Sequence, residues 1–355
     1  VHNPDPLDRG RAVLEHRWAR LRAERLWMGS SFSLDPAVPM SEAVRRAACS
    51  EIDSACAALA VPPDRHKGVH DARKCLKRLR SLIALIRPGL PEPVYASLAE
   101  RLRSIAKGLA PARDAPALLD AINKLFGDAE DDTEATPIPA LRRWLQERRQ
   151  SAARSLESSA ASEAIRGLTS VRPAVAGLAV YPDGFQSVAK GLRQSYRGGR
   201  KALAKAFASG SAEDFHEWRK AMQHHWRHMQ LLTPCWPSEL SARVEISRSL
   251  SQILGDDHDI AMLQHLISAP TMSFASPDVT ASFLKQCRSR QRALRRDAKM
   301  LGERLFAERS QPFAERIEAY WVTAARASAK PAPVARTGNV IAFGEAGAAS
   351  RRVSG

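Results

Sequence analysis

The sequence is poor in the features that mark strands, membrane spans and disulfide scaffolds. Aromatic residues make up only 6% of its 355 residues, and the alternating β-branched segments that are typical of strands are scarce. No apolar run approaches the roughly 18 residues that span a bilayer, and the first residues lack the charged-then-apolar order of a signal peptide. The five cysteines are dispersed without a Cys-x-x-Cys pair, which argues against a disulfide framework. We therefore expect a soluble, cytoplasmic protein with reduced cysteines.

Acidic residues are too few to balance the basic ones. Lys and Arg number 54 against 38 Asp and Glu, which gives a formal net charge of +16. Arginine dominates, with 42 residues against 12 lysines, and its planar guanidinium matches phosphate and carboxylate groups in a bidentate manner. A GC-rich genome explains much of the ratio of Arg to Lys but not the surplus of positive charge. The surplus indicates a polyanionic partner, and at this point nucleic acid, polyphosphate, an acidic membrane surface and acidic proteins are all open.

What the sequence does contain is a series of helical patterns. Ala, Leu, Arg, Glu and Gln predominate in stretches whose apolar residues are spaced by three and four, as in amphipathic helices. Proline and glycine lie between these stretches. The predicted helices are Ser41–Ala60, His70–Ile86, Val94–Leu109, Leu141–Leu156, Phe185–Phe207, Asp214–Leu232, Leu240–Leu254, Val279–Leu301 and Pro312–Ala327. We predict an all-α protein built from antiparallel helices.

Three segments fall outside this pattern. Residues 1–35 form an N-terminal extension that contains a basic, partly helical patch at Arg11–Arg25. The acidic, turn-rich stretch Gly127–Pro139 predicts a loop. Residues 328–355 mix Ala, Pro, Gly and Arg without periodicity, and we expect a disordered tail there. The folded domain is therefore expected to occupy residues 36–327.

An internal repeat divides that domain in two. The run His70–Lys77 begins His-Asp-Ala-Arg-Lys, and 146 positions later His216 begins the run His-Glu-Trp-Arg-Lys. Downstream, Leu109–Asp114 has a counterpart in Leu254–Asp259, shifted by 145 positions. Because two matches about 40 residues apart keep nearly the same offset, we predict two related helical halves, at residues 36–175 and 176–327.

The repeated helices are predicted to carry a basic face. On a helical wheel, cations surround His70 and apolar residues occupy the opposite side; the cations are Arg73, Lys74, Lys77, Arg78 and Arg80. In the second half, His216, Arg219, Lys220 and Arg227 share the same sector. A solvated face usually alternates charges so that residues four apart attract each other, whereas Arg73 and Lys77 repel. This pattern favours a bound polyanion over a plain solvated surface, and the latter stays open as the alternative.

The doubled pattern His-x-x-Arg-Lys, followed after the next predicted helix by Leu-x-x-x-Arg/His-Asp, resembles the CHAD domain family, the conserved-histidine α-helical domains. The resemblance covers residues 36–327. It implies two four-helix bundles related by a pseudo-twofold axis, with a basic central groove or pore between them that binds inorganic polyphosphate. It also implies a bacterial protein that is associated with polyphosphate granules.

The resemblance also implies which residues line the groove. Carried over by position, they are His70, Arg73, Lys74, Lys77 and Arg80 in the first half and His216, Arg219 and Lys220 in the second. The second half departs from the pattern at Gln223 and Trp226, where the first half has a Lys and an Arg. Two further basic runs are supporting candidates: Arg193, Arg197 and Arg200, and Arg288, Arg292 and Arg295.

A linear polyphosphate suits such a surface. Each internal phosphate carries about one negative charge, and the polymer offers no bases that would need an aromatic stacking platform. Histidine adds a charge that varies near neutral pH. We therefore predict that binding tightens as the pH falls through the range in which histidine titrates. We predict no membrane partner.

Nucleic-acid binding is the first alternative. The net charge and the arginine content support it equally well, but no zinc-ligand spacing, basic-zipper pattern or RNP-like motif is present. Weak binding of nucleic acid as a side property remains an expectation.

A metal-dependent phosphohydrolase is the second alternative. The dipeptides His70-Asp71 and His258-Asp259 support it, but their counterparts in the repeat are His-Glu and Arg-Asp, so the duplicated feature is not His with Asp. We expect Asp114 and Asp259 to stabilise a helix start or to pair with an arginine. The chain also lacks a Gly-rich phosphate loop and the Glu-x-Glu-x-Lys signature of triphosphate-tunnel enzymes. We predict a non-catalytic binding module without a cofactor.

A histidine cluster gives a third possibility, a metal site. His224 and His228 share one helix face, whereas His225 points towards the apolar side. No carboxylate or thiolate is adjacent, so we predict no functional metal site there.

Overall fold

The protein is described by a computed structural model that covers residues 32–60, 65–109, 118–119, 121–123, 137–155, 159–269 and 276–328. In these residues the regular structure is helical, which confirms the all-α prediction. The helices are α1 Met40–Ala60, α2 Arg65–Ile86, α3 Glu92–Gly108, α4 Ile138–Ser155, α5 Ser159–Ala176, α6 Gln186–Ser209, α7 Ala212–Leu232, α8 Pro237–Ile267, α9 Pro277–Leu305 and α10 Ser310–Ser328. Within the described ranges, no helix combines the length and the apolar character that crossing a bilayer requires.

Two helices differ from the sequence prediction. Helix α8 continues to Ile267, whereas the sequence predicted an end at Leu254. Beyond that point, Ile260, Leu263 and Ile267 are buried in a second hydrophobic cluster, which stabilises the added turns of the helix. Helix α5 was not predicted, since Gly and Pro interrupt its pattern. Its buried residues Ala164, Leu168, Val171 and Val175 nevertheless recur at helical spacing and pack against α1.

The N-terminal boundary of the folded domain also differs from the prediction. Phe32 and Leu34 were assigned to an extension, but both are buried, and the Leu34 N–H donates to the carbonyl of Leu231 at 2.8 Å. Residues 32–35 therefore belong to the domain. The remaining predictions for the extension and the tail concern residues 1–31 and 329–355, which lie outside the described residues. Most of the predicted acidic loop also lies outside them.

The sequence repeat recurs in the order of the helices. Helix α2 ends at Ile86 and α7 ends at Leu232, and each is followed by a single 3-10 turn, Arg87–Gly89 and Thr233–Cys235. Helix α2 packs against α1, which packs against α5; in the second half α7 packs against α6, which packs against α10. Equivalent helices therefore have equivalent neighbours. The pseudo-twofold relation of the halves stays a prediction.

The two histidine-bearing helices meet near their C-terminal parts. The backbone carbonyl of Ser81 on α2 lies 2.9 Å from Nε2 of His228 on α7, and the Ser81 hydroxyl lies 3.1 Å from Nδ1 of His224. His70 precedes Ser81 by eleven residues, which is about 16 Å along a helix at 1.5 Å per residue. The two repeated histidines therefore lie well away from the point where their helices meet.

The halves are also joined by a small hydrophobic cluster. Leu119, Ile122, Leu141 and Leu145 from the first half are buried in one cluster with the second-half residues Ile260, Leu263, Phe283 and Cys287. Each fully buried aliphatic side chain of this kind stabilises the fold by roughly 1.5–3 kcal/mol. The first half therefore packs onto the end of α8 and the start of α9, and this packing holds α8 in place beside α7.

Candidate functional site

The second half assembles a compact cationic cluster on α7 and α8. Ser211 caps α7, because its hydroxyl accepts a hydrogen bond from the N–H of Asp214 at 3.1 Å, and this cap sets where the helix begins. One turn later the ring of His216 lies over the ring of His258 on α8, with centroids 4.2 Å apart. Arg219 extends across Gly255, where its Nη2 lies 3.6 Å from the position of an added Cβ. We call His216, Arg219, Lys220 and His258 the histidine-pair cluster.

The electrostatics of the histidine-pair cluster favour an anion. Burial, then Lys220 and Arg219, lower the pKa of His216. Burial, then His216, Arg219 and Lys220, lower the pKa of His258 to about 4. Both rings are therefore neutral at pH 7, and the buried Nδ1 of His216 has no hydrogen-bond partner among the described residues. Neighbouring positive charge disfavours protonation, and a bound anion would reverse that effect.

Two carboxylates, Glu213 and Glu217, act on His216 from the edge of this cluster and raise its pKa, against the larger effects of burial and the cations. Lys220 pairs with Glu217 on the same helix at 2.6 Å, and both side chains are about half exposed. Exposed ion pairs of this kind contribute only about 0–1 kcal/mol. A phosphate group can therefore take the place of Glu217 at little cost.

An ion pair beneath the histidine-pair cluster fixes its geometry. Asp257, next to His258 in the chain, is 2% exposed and accepts from Nε of Arg295 at 2.7 Å. Arg295 also donates to the carbonyl of Gly210 at 2.9 Å, and its guanidinium lies 3.9 Å from the ring centre of Phe215. Arg295 therefore ties α9 to α8 and to the start of α7. Arg295 was predicted to line the groove, and these contacts give it a structural role.

The first half presents its predicted residues along α2. His70 and Lys77 are half-buried, and Arg73 donates to the carbonyl of Ala106 at 3.2 Å, one of the last carbonyls of α3, which lack partners within that helix. Lys74 pairs with Asp71 at 3.0 Å in an exposed contact, as Lys220 does with Glu217. The segment equivalent to His258, which contains Arg113 and Asp114, lies outside the described residues.

Two cations of the predicted basic faces make contacts within the fold. Arg78 donates to the buried carboxylate of Glu51 at 2.8 Å and lies over the ring of Phe32. Arg227 is only 8% exposed and donates to the carbonyl of Gln223 at 2.9 Å. The basic faces are therefore narrower than the helical wheels predicted, because the wheel does not show which neighbouring helix covers its edges.

The supporting basic runs lie on other helices. On α6, Arg193 bonds to the side chain of Gln311 and Arg200 donates to the carbonyl of Glu308 at 3.2 Å, so these two face α10. Arg197 is exposed, as are Arg288 and Arg292 on α9. The structure thus brings His216, Arg219 and Lys220 together with Arg295 beneath them. It places the other members of the two runs elsewhere.

His258 is the member of the histidine-pair cluster that was not among the predicted groove residues. The signal for it was present, because it occupies the position of Arg113 in the second match of the repeat. Asp259 does not start a helix, since it lies within the continuous helix α8. The other expectation, that it pairs with an arginine, stays a prediction. The sequence did not indicate that His258 belongs to the site, because residues 255–259 were predicted to follow the end of a helix. They lie within α8 instead.

The histidines after His216 are part of the core and of a nearby pocket. His225 is fully buried against the aromatic rings of Tyr196, Phe306 and Phe313, as its position on the apolar side predicted. The rings of His224 and His228 are 6.0 Å apart. In the described part of the chain, no group of three or more His, Cys, Asp or Glu side chains is placed to hold a metal ion.

One comparison with known proteins agrees with the sequence pattern. The family model of the CHAD domain matches residues 44–268, which include both repeated histidine helices. The crystal structure of the CHAD domain from the plant Ricinus communis matches with a TM-score of 0.45 and 18% sequence identity, over 82% of this chain and 95% of that chain. No curated protein sequence matches this chain.

Proposed function

This chain belongs to the CHAD domain family, and on that premise we propose that it binds inorganic polyphosphate without cleaving it. The family is linked to polyphosphate binding in general. In this chain the proposal places the polymer on the histidine-pair cluster and on the exposed side of α2. It extends to a cytoplasmic protein that associates with polyphosphate granules.

The observation that carries the proposal is the positive charge of Arg219 and Lys220 beside His258. Every charged group that acts on the pKa of His258 is a cation or a histidine. A cluster of this kind is costly to maintain by itself, because like charges repel at short range. A linear polyanion relieves this repulsion, and each bound phosphate also releases condensed counterions.

The aromatic residues of α7 favour polyphosphate over single-stranded nucleic acid. Phe215 and Trp218, which flank His216 in sequence, are 2% and 0% exposed and pack against Phe207. They are therefore not available for base stacking, the interaction that sequence-tolerant nucleic-acid binders use. The site offers charge and hydrogen-bond donors, which are what a polymer of bare phosphates requires.

A competition experiment tests the proposal. The protein is titrated with long-chain polyphosphate, duplex DNA, single-stranded DNA and heparin at about 0.15 M salt, where exposed charges are largely screened. We expect polyphosphate to bind most tightly. The double substitution Arg73→Ala/Arg219→Ala removes one guanidinium from each half and is expected to weaken polyphosphate binding at least tenfold, since a hydrogen bond to a charged group is worth about 1.5–3 kcal/mol.

The matched control is Arg166→Ala/Arg326→Ala, which removes the same formal charge from exposed positions on α5 and α10. It is expected to change the affinity less than threefold. Equal binding of DNA or heparin, or equal losses in the two double variants, would mean that the surface is only generically basic. Shortening of the polymer during incubation with Mg²⁺ would contradict binding without cleavage.

A further inference from the structure

One face of α9 carries a row of exposed cations. At 100° per residue they fall within a sector of about 80°, on the side of the helix that faces away from its buried residues. They are Lys285, Arg288, Arg292, Arg296 and Lys299. We call these five residues the α9 stripe. Its members follow one another at intervals of three or four residues, where like charges repel, so this face favours an anionic partner.

The α9 stripe is largely without counter-charge in the described part of the chain. Lys299 pairs with Glu303 at 3.8 Å, and the other four cations form no ion pair there. Arg295, which precedes Arg296, lies on another side of the helix and is bound by Asp257 in the core. The surface proposed for polyphosphate lies on α2, α7 and α8 and does not include the stripe.

The most acidic stretch of the sequence begins and ends beside the start of α9. Residues 128–134, which lie outside the described residues, contain five carboxylates in seven positions. Ile122 before this stretch and Leu141 after it are buried in one hydrophobic cluster with Phe283 and Cys287 of α9. Both flanks of the acidic stretch are therefore held against the helix that carries the stripe.

The acidic stretch is long enough to reach the stripe. Asp131 is nine residues from Ile122 and ten from Leu141, which allows a reach of about 30 Å from either flank. Arg292 lies five residues beyond Cys287, which is about 8 Å along the helix. A single exposed ion pair contributes little, but a stretch held at both ends forms several such pairs at a high effective concentration.

Helix α4 also begins beside the acidic stretch, and it suits five carboxylates less well. Glu147 lies four residues from Arg143 on α4, and both are exposed, so this helix supplies a carboxylate of its own. Arg148 lies over the ring of Trp144, 4.7 Å from its centre. The α9 stripe places five cations along one face beside a single paired carboxylate, which makes it the better electrostatic match.

We propose that the α9 stripe is the docking surface of the acidic residues 128–134 of the same chain. Their five carboxylates neutralise its five cations in the free protein. External polyanions then meet the positive charge of α2 and of the histidine-pair cluster, and not that of α9. The contact narrows what a chain with a net charge of +16 binds, and it does not depend on the proposed polyphosphate function.

Zero-length crosslinking tests the contact directly. A carbodiimide joins a carboxylate to an amine that touches it, and the full chain is treated at about 0.05 M salt, where exposed charges are only partly screened. Peptide mass spectrometry is expected to find crosslinks from Lys285 to residues 128–134, which disappear at about 1 M salt. The exposed Lys190 on α6 is the control and is expected to form none with that stretch.

Two crosslinking results overturn the proposal. Absence of crosslinks at Lys285, or equal yields at Lys285 and Lys190, would mean that the acidic stretch does not dock on the stripe. Crosslinks that join isotope-labelled to unlabelled chains in a mixture would assign the contact to a second copy of the protein.

Binding of duplex DNA tests whether the stripe is occupied. The substitutions Glu130→Gln/Asp131→Asn/Asp132→Asn are expected to tighten DNA binding at about 0.05 M salt, because they free cations of the stripe. Arg288→Ala/Arg292→Ala is then expected to weaken DNA binding at least threefold more in this background than in the wild type. Dissociation constants of the four proteins in this cycle give the comparison.

The matched control is Glu163→Gln/Glu245→Gln/Glu315→Gln, which removes three exposed carboxylates from α5, α8 and α10. Its gain in DNA affinity is expected to be at least threefold smaller, and equal gains would reduce the effect to net charge. An equal loss from Arg288→Ala/Arg292→Ala in both backgrounds would mean that the stripe is open to solvent and to nucleic acid. None of these variants changes α2 or the histidine-pair cluster, so failure here and failure of the polyphosphate proposal are distinguishable.

Discussion

The histidines of this protein differ in what surrounds them, and that difference determines their chemistry. His216 and His258 lie beside cations that a ligand can neutralise. His225 is fully buried among aromatic rings, where no ligand reaches it. The same residue type is therefore part of a candidate site at one position and of the core nine residues further along α7.

Polyphosphate affinity is expected to depend on pH through His216 and His258. In the free protein the pKa of His258 is lowered to about 4 and that of His216 is also lowered. A bound polyanion opposes the positive charges nearby and raises both pKa values, so the complex takes up protons that the free protein does not. By linkage, affinity rises as the pH falls below about 6.5, with little change between pH 8 and 7.

Dissociation constants measured from pH 8 to pH 5 at constant ionic strength check this expectation. The double variant His216→Gln/His258→Gln is the control, because protonation of surface carboxylates affects it and the wild type equally. A wild-type curve that stays flat below pH 6.5, or that runs parallel to the variant's curve, would assign the two rings a purely structural role.

Helices α6 and α2 come into close contact at Gly191. A Cβ added to Gly191 of α6 would overlap the backbone carbonyl oxygen of Leu85 on α2. Because the obstacle is backbone, no side-chain rotation relieves it. This glycine therefore sets the distance between helices of the two halves, and that distance determines how α2 and α7 meet.

The substitution Gly191→Ala is expected to destabilise the protein by about 3 kcal/mol or more, since overpacking against backbone forces helices apart. Gly198→Ala is the matched control on the same helix, where nothing lies within 4 Å of an added Cβ. It is expected to stabilise by roughly 0.5–1 kcal/mol, because alanine is the better helix former. Urea unfolding midpoints measure both. Equal effects of the two substitutions would show that α6 and α2 are not in close contact.

For the molecule as a whole, three histidines of α7 limit stability in acid, and two of them, His224 and His228, contact Ser81 of the first half. Burial is the main cause that lowers the pKa of His224 to about 4 and of His228 to about 3, and it holds the pKa of His225 well below its usual range. His228 contacts Ser81 of the first half. The interface between the halves therefore depends on imidazoles that stay neutral.

Stability is expected to fall as the pH drops below about 6.5. The unfolded chain binds protons at these histidines there and the folded chain does not, so unfolding is favoured by roughly 1.4 kcal/mol for each pH unit and each histidine. The loss continues until the folded pKa values are reached. Free energies of unfolding measured between pH 7 and pH 5 test this expectation. The substitution His225→Leu is expected to reduce the slope of unfolding free energy against pH by about the contribution of one histidine. The slope is informative even if the variant is less stable, and an unchanged slope would contradict the expectation.

Much of the architecture was determined by the sequence alone. Apolar residues spaced by three and four predicted nine of the ten helices named here, because that spacing depends only on helix geometry. The repeat predicted which helices correspond, and it also pointed to the CHAD domain family. Helix α5 was missed, since its sequence is interrupted by Gly167 and Pro173, and only packing against α1 shows that it is helical.

Which cations are available to a ligand was decided by the tertiary structure. Arg78 and Arg295 look like their basic neighbours in the sequence, but Glu51 and Asp257, distant along the chain, bind them in the core. His258 joins His216 because α8 continues past Gly255 alongside α7. A helical wheel orders the residues of one helix. The availability of a charge depends on what the neighbouring helices place against it, and that is determined only when the chain is packed.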